Sequence, residues 1–324
     1  MKYFSNAFEG RNHWWRYLLL FLASMFGGQL IGGIPLAAVM FYKIFESGGS
    51  LQPNPENAAD LSALGIGQNF GLFLMLLPFI ASLFVMVFLF KPMHNRDFKS
   101  LISGIQKIRW SRFFLPAAIW SSIFLIYLLV DYLTNRQAYV VNFRAGQFIV
   151  LCILSLSMIP FQSSYEEIMF RGYIAQGVGV WTKSRILVIL VPAVLFGLMH
   201  AFNPEIDAYG FWLAMPQYIF FGLIFGLFSV LDDGVEVAMG VHSANNVFMS
   251  IFVTSQSSAL QTPALFYQVD VDPINDMIVL FVSGILVTAI LAYIYKWDFK
   301  ILKKKIEPNI ELSSKDIEAQ IINN

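Results

Sequence analysis

Eight long apolar runs divide this sequence, and each approaches the length needed to cross a lipid bilayer. A transmembrane helix requires about 20 mostly apolar residues. The runs lie at residues 17–42, 70–90, 113–130, 147–161, 186–202, 211–231, 235–253 and 274–295. The fourth run is short and is expected to continue into the next stretch. The sequence therefore predicts an all-α fold, a polytopic transmembrane helical bundle of about eight spans.

The composition supports a lipid bilayer as the environment of the chain. Hydrophobic residues make up 57% of the 324 residues and charged residues 13%, whereas soluble domains carry about 25% charged residues. The formal net charge is zero, so no basic excess indicates nucleic-acid binding. The single cysteine, Cys152, lies inside an apolar run and cannot form an internal disulfide. The expected partners are the bilayer and a peptide or protein substrate at the membrane, with no nucleic acid.

The distribution of Lys and Arg predicts an orientation in the membrane. Basic residues concentrate before the first run, between the second and third runs, and after the last run. Cytoplasmic loops carry such an excess of positive charge. With eight spans these clusters share one side, which predicts a multi-pass plasma-membrane protein with both termini in the cytoplasm. The first run is expected to be a retained span rather than a signal peptide, and residues 46–60, rich in Gly and Pro, are expected to form a loop.

Three divisions of the chain follow from this pattern. Residues 1–146 are expected to form an N-terminal transmembrane region of three spans, residues 147–302 a catalytic transmembrane core, and residues 303–324 a polar cytoplasmic tail. No internal repeat and no soluble second domain is evident from the sequence.

The first group of polar residues at membrane depth contains an acid pair. Charged residues inside membrane segments are costly and generally face a bundle interior, where they serve a function. Glu167 and Arg171 are spaced i, i+4 with the acid first, the favourable order for an ion pair on a helix. Glu166 points about 100° away around the helix, so we expect it to have no local partner and to be available as a general base.

Two further groups lie on later apolar runs. Phe196 and His200 are spaced i, i+4, which places the ring where it can shield the imidazole. His242 and Asn246 have the same spacing and can address one ligand. Because polar groups surrounded by lipid must find partners inside the protein, we expect the three groups to meet in one site.

The motifs E-E-x-x-x-R, F-x-x-x-H and H-x-x-x-N occur in this order on separate predicted helices. This series resembles the CPBP family of intramembrane proteases, which includes the CAAX prenyl endopeptidases and the bacteriocin-processing and self-immunity proteins. The resemblance covers residues 147–253, roughly a third of the chain. It implies an endopeptidase that cleaves a membrane-associated or prenylated, CAAX-like substrate inside the membrane.

The same resemblance implies roles for six residues. Glu166 would activate the attacking water and His200 would help to hold it. His242 and Asn246 would stabilise the oxyanion. Glu167 and Arg171 would orient the site.

The sequence leaves the cofactor open between zinc and a metal-free water. Glu166, His200 and His242 could supply the three protein ligands of a catalytic zinc. However, the usual helical zinc signature H-E-x-x-H is missing, and an oxyanion donor cannot also be a full metal ligand. The interpretation that we favour is the metal-free water.

Two other functions remain possible from the sequence. A non-catalytic membrane scaffold or bacteriocin immunity factor of the same family would keep the helices without the chemistry. A proton-coupled transporter would also use intramembrane Glu, His and Arg, although such proteins are often built from repeats and none is evident here.

The depth of the site poses a difficulty. If the fourth span ends inward, Glu166 lies near the cytoplasmic leaflet, and His200 falls about 22 Å further along the fifth span. Convergence would then require tilt, a kink at Pro160 or Pro192, or a re-entrant helix over residues 163–180. The pocket is expected to open toward the cytoplasm.

Overall fold

The computed structural model describes residues 2–54, 57 and 60–308. Four positions of the predicted loop over residues 46–60 lie outside the described residues, namely 55, 56, 58 and 59. Most of the predicted tail, residues 309–324, also lies outside them.

The described chain is almost entirely helical, as the sequence predicts. The helices are α1 (Trp14–Glu46), α2 (Gln68–His94), α3 (Trp110–Thr134), α4 (Ala145–Thr182), α5 (Leu187–Met199), α6 (Pro204–Tyr209), α7 (Phe211–Leu231), α8 (Glu236–Phe252) and α9 (Pro273–Tyr295). Short 3₁₀ turns lie at Ser5–Phe8, Leu61–Leu64, Phe98–Leu101, Arg136–Ala138 and Phe299–Lys303. Two helices contain a π-helical turn, α1 at Ala23–Gly28 and α4 at Ile168–Ile174.

A small sheet of three short strands connects the loops at one end of the bundle. The strands are β1 (Tyr139–Val141), β2 (Val253–Thr254) and β3 (Phe266–Gln268). β3 lies in the middle, antiparallel to β1 and parallel to β2. Tyr139 pairs with Gln268, and Val253 pairs with Phe266.

The predicted number of about eight spans is wrong by the criterion of length. Within the described residues, six helices are long and apolar enough to cross a membrane: α1, α2, α3, α4, α7 and α9. α5 has only 13 residues and α8 has 17. At about 1.5 Å per residue, α5 covers about 20 Å, less than the hydrocarbon thickness of about 30 Å. α8 is buried along most of its length, so it packs against protein rather than lipid.

Large apolar side chains cover the outside of the long helices. Phe88 on α2 is 72% exposed and Leu133 on α3 is 79% exposed. An apolar surface of this extent is stable in lipid and not in water. The outer surface therefore confirms the polytopic helical bundle.

The connecting segments meet at two opposite ends of the bundle. At the first, the amide of Tyr3 donates to Asp233 and the amide of Ile306 donates to the carbonyl of Lys183, each over 2.9 Å. We call this the terminal end; it comprises residues 2–13, 95–109, 183–186, 232–235 and 296–308. The other we call the loop end; it comprises the described residues of 47–67 together with 135–144, 200–210 and 253–272. Successive helices therefore run in opposite directions between these ends when α5 and α8 are counted with the long helices and the short α6 is set aside.

Helix α8 lies at the centre of the bundle, between α3 and α4. Its approach to α3 depends on Gly240, because a Cβ at this position would collide with the carbonyl oxygen of Phe113. The side chains of Val237, Ala238 and Val241 on α8 are completely buried. The polar residues of α8 are therefore fixed by close backbone packing on both sides.

The continuity of α4 removes the difficulty of depth. This helix runs for 38 residues without ending near position 161, so Glu166 lies near its middle rather than near one leaflet. Pro160 and Pro192 both lie inside helices, and the possible re-entrant helix over residues 163–180 is wrong because this stretch is the second half of α4. The shortness of α5 places His200 inside the bundle as well.

Candidate active site

Helix α4 supplies four polar side chains to the interior within three turns. They are Gln162, Glu166, Glu167 and Arg171, and each is less than a tenth exposed. The π-helical turn begins directly after Glu167 and includes Arg171. Turns of this kind occur frequently at functional sites.

The ion pair that the spacing predicts is present and fully buried. Nη1 of Arg171 lies 3.0 Å from Oε1 of Glu167, and both side chains are 0% exposed. The guanidinium also lies over the ring of Phe196, 4.3 Å from its centroid. A buried ion pair depends on such additional contacts. Removing each ion from water costs several kcal/mol, about as much as the attraction between the two charges contributes.

His242 of α8 joins this pair. Its Nδ1 lies 2.7 Å from Oε1 of Glu167, and because a carboxylate paired with Arg171 accepts, Nδ1 carries the hydrogen. Its Nε2 lies 3.6 Å from Oε2 of Glu166. The imidazole therefore lies between the two neighbouring carboxylates and is hydrogen-bonded to Glu167. A protonated His242 makes the group of two acids, Arg171 and His242 neutral in sum.

Gln162 is a site residue that the sequence analysis missed. Its Nε2 donates to Oε1 of Glu166 over 2.7 Å, and its Oε1 accepts from Nδ2 of Asn246 and from the hydroxyl of Ser163, each over 3.1 Å. The expectation that Glu166 has no local partner is therefore wrong. The i, i+4 spacing of Gln162 and Glu166 is the signal that could have revealed the contact.

His200 lies at the C-terminal end of α5, with its ring held on two sides. Its ring centroid is 4.4 Å from that of Phe196, as the spacing predicts, and 4.5 Å from that of Tyr218, with which it stacks. Its Nδ1 lies 2.7 Å from the carbonyl oxygen of Phe196. Since a carbonyl only accepts, Nδ1 carries the hydrogen, and Nε2 of the neutral ring is an acceptor.

A second polar group lies behind His200, and sequence reasoning missed it. The hydroxyl of Tyr218 donates to Glu205 over 3.2 Å and accepts from the amide of Asn203 over 3.0 Å. Glu205 also accepts from the backbone N–H of Ala259 over 3.0 Å. Burial raises the pKa of Glu205, against the lowering effect of these hydrogen bonds. These residues come from a loop, a short helix and an apolar run, so no sequence periodicity connects them.

One cavity of about 660 Å³ collects the predicted site residues. Glu166, His200, His242 and Asn246 all line it. Glu167 and Arg171 do not line it and lie behind His242, where they can position that side chain. The structure thus brings the six residues together in two layers.

The side chains present do not fit a metal ion. In the part of the chain that the structure describes, no three His, Cys, Asp or Glu side chains form a group that could hold one. The zinc set of Glu166, His200 and His242 therefore has no support in the geometry.

The helical bundle and its interior define a class of protein, namely multi-pass membrane proteins with an acid–histidine cavity among their helices. Residues 145–248 match the family model described as type II CAAX prenyl endopeptidase Rce1-like. This segment contains all six predicted site residues and is similar to that family. The resemblance indicated by the three motifs is therefore confirmed.

Similarity to a known protein extends beyond the family segment. The Bacillus subtilis (strain 168) protein named "Uncharacterized protein YyaK" is 28% identical over 278 residues, which cover 82% of this chain and 87% of YyaK. No solved structure matches the chain. The similarity thus covers most of both chains and extends beyond the segment that matches the family model.

Proposed function

We propose that this protein is an intramembrane endopeptidase that hydrolyses a peptide bond of a membrane-associated substrate. The observation that carries the proposal is the convergence of Glu166, His200, His242 and Asn246 on one cavity inside the bundle. The family match supports a protease of the CAAX type. A prenylated CAAX-like peptide is the substrate class that this family implies.

Two acceptors from the residues that line the cavity suit the attacking water. Oε2 of Glu166 accepts no hydrogen bond from the described residues, and Nε2 of His200 is an acceptor in the neutral ring. A water that donates one hydrogen to each directs its lone pair at the scissile carbonyl carbon. Glu166 takes the proton as the O–C bond forms, and then delivers it to the amine nitrogen as the C–N bond breaks.

Two donors suit the developing oxyanion. Asn246 uses one amide hydrogen for Gln162 and has a second one available. His242, with Nδ1–H held by Glu167, donates from Nε2 only as an imidazolium. Donors that are fixed before the reaction stabilise such a charge more strongly than water does.

The test compares the wild type with Glu166→Gln and a matched control on the same helix, Ser157→Ala, which is exposed. Membranes are analysed for new C-terminal peptide fragments by mass spectrometry. We expect Glu166→Gln to reduce fragment formation by at least about 100-fold with an unchanged unfolding temperature, and Ser157→Ala to behave as the wild type.

Retention of cleavage by Glu166→Gln would refute the role of Glu166. A phenotype that persists in Glu166→Gln without any fragments would favour the scaffold or immunity function instead. Loss of proton uptake into vesicles, with no fragments in either protein, would favour the transporter.

A further inference from the structure

A second cavity adjoins the one that holds the proposed site. Its volume is about 270 Å³, and it lies among α3, α7, α8 and α9. Glu205, Tyr218 and Asn245 line both cavities. We propose that the second cavity is a specificity pocket that receives a basic side chain, Lys or Arg, of the peptide substrate. This inference rests on the proposed protease function and names a feature of the substrate for the same site.

Two carboxylates line the second cavity without a cation. They belong to Glu205 of α6 and Asp276 of α9, and none of the described residues that line the cavity is a Lys or an Arg. The negative charges of both acids act on Tyr209, which places them around the same space. The charged groups that act on Asp276 are Asp131 and Asp272, which are also acids. The electrostatic potential in this cavity is therefore negative, and it favours a bound positive group.

Polar groups of the second cavity have hydrogen-bonding capacity left for such a ligand. Glu205 accepts only from neutral donors, the hydroxyl of Tyr218 and the backbone N–H of Ala259. Thr254 on β2 lines the cavity and is 2% exposed, and its hydroxyl has no hydrogen-bond partner among the described residues. Most buried polar side-chain atoms have such a partner. The unpaired hydroxyl therefore indicates a ligand in this cavity independently of the carboxylates.

The rest of the lining suits a long basic side chain. It includes Tyr127, Tyr139, Tyr209 and Tyr218. Lys and Arg bury an apolar stem while the charged head keeps polar contacts, and aromatic faces attract a cation. Pockets that hold whole small molecules have volumes of about 300–1,000 Å³, and the second cavity, at about 270 Å³, is smaller. The cavity therefore fits one side chain of a larger substrate better than an entire ligand.

The second cavity lies next to the groups to which we assign chemistry. The ring of Tyr218 stacks on that of His200, with centroids 4.5 Å apart, and Asn245 directly precedes Asn246 on α8. An extended peptide advances about 3.3–3.6 Å per residue, so a side chain a few residues from the scissile bond can reach a neighbouring cavity. The larger cavity, lined in part by apolar residues of α1 and α2, is left for the rest of the substrate. A basic side chain in the second cavity is thus compatible with a prenylated, CAAX-like peptide.

Selection of bound peptides tests the second cavity without requiring cleavage. The full-length Glu166→Gln protein in detergent is incubated with a library of short peptides that share one farnesylated Cys and are randomised on both sides of it. Peptides that remain bound are sequenced by mass spectrometry. We expect Lys and Arg together to be enriched at least about tenfold at one position relative to the Cys, because hydrogen bonds to a charged group contribute about that factor to affinity.

Further substitutions in the Glu166→Gln protein identify the groups responsible. Asp276→Asn and Glu205→Gln each remove a negative charge with little change in volume, and each should reduce the enrichment of Lys and Arg several-fold. Asp270→Asn makes the same change on an exposed residue that does not line the cavity, and it should keep the full enrichment. Asp276→Lys should shift the preference toward Asp and Glu, a result that a merely structural role of Asp276 would not produce.

Three outcomes would overturn the inference: retention of no peptide, retention without a preference for Lys or Arg, or an unchanged preference in both Asp276→Asn and Glu205→Gln. Either of these two variants suffices for the comparison if the other does not fold. Retained cleavage by Glu166→Gln would instead refute the proposed role of Glu166 and leave the preference among bound peptides unaffected, so the two failures are distinguishable.

Discussion

Gln162 connects two of the groups to which we assign chemistry. Its amide donates to Glu166 and accepts from Asn246, so its orientation is fixed by both. The hydrogen bond from Gln162 occupies Oε1 of Glu166 and leaves Oε2 without a hydrogen-bond partner among the described residues. Gln162 is therefore a positioning residue, and it acts on the base and on the oxyanion donor together.

The first residue-scale prediction concerns Gln162→Leu. Hydrogen bonds to a charged group contribute about 1.5–3 kcal/mol, so loss of this donor should reduce kcat at least about tenfold while KM changes little. Cleavage of an identified substrate and thermal unfolding in detergent are measured beside the exposed-site variant Ser157→Ala. A fall in kcat for Gln162→Leu that is accompanied by a clear fall in its unfolding temperature would indicate a structural role only.

The second residue-scale prediction concerns the buried ion pair. Arg171→Ala removes the partner of Glu167 where neither side chain contacts solvent, and breaking such a pair costs about 3–5 kcal/mol. We expect a clear fall in the unfolding temperature measured in detergent. Arg136→Ala, on an exposed loop-end residue, should change the unfolding temperature little.

A double variant separates charge from packing at this position. Arg171→Met with Glu167→Gln removes both charges and keeps most of the volume, so it should be more stable than Arg171→Ala alone. It should still be inactive, because His242 then lacks the carboxylate that holds it. Recovery of cleavage in the double variant would contradict the role assigned to Glu167.

At the scale of elements, helix α8 depends on small residues for its place between α3 and α4. Gly240→Ala should destabilise the protein by about 1–3 kcal/mol, because overpacking forces the backbones apart. Gly33→Ala on α1 is the matched control, since a Cβ there meets nothing within 4 Å. It should be neutral or stabilising by up to about 1 kcal/mol, because Ala favours helix more than Gly does.

The unfolding temperatures and cleavage rates of Gly240→Ala and Gly33→Ala test whether the position of α8 depends on the small residue at 240. Because α8 carries His242 and Asn246, a shift of its backbone should lower activity in Gly240→Ala as well. Wild-type stability and activity in that variant would show that the two helices can separate without consequence for the site.

At the scale of the whole molecule, the purified chain is expected to act without a metal ion. The described residues contain no group that could hold one, and Glu166 with His200 can orient water unaided. Incubation with a strong chelator should leave cleavage unchanged, and metal analysis should find less than one equivalent of zinc. Stoichiometric zinc whose removal abolishes cleavage would make His242 a ligand.

Much of this architecture could be predicted from the sequence, because a helix that crosses a lipid bilayer needs about 20 mostly apolar residues. The runs identified all of the long helices, and the spacing of Glu167 and Arg171 predicted their ion pair. The number of spans was overestimated because apolar composition does not distinguish a lipid-facing helix from the buried α8. The length of α4 was not evident because its second half carries the polar residues of the site.

The missed site residues differ in how accessible they were to sequence reasoning. Gln162 lies one helical turn from Glu166, and local geometry could have identified it. Tyr218 and Glu205 come together with His200 only through the packing of α5, α6 and α7. Such contacts between distant segments are set by tertiary structure, and no local pattern encodes them.

The contact between Tyr3 and Asp233 at the terminal end has a consequence for biosynthesis. The amide of Tyr3 donates to Asp233 across a separation of 230 residues, so residue 3 cannot take its final place until helix α7 has been made. Contacts of such long range form late in folding. Helices α1 and α2, which are neighbours in sequence, can pair while synthesis continues. This contact at the terminal end is therefore among the last parts of the molecule to form.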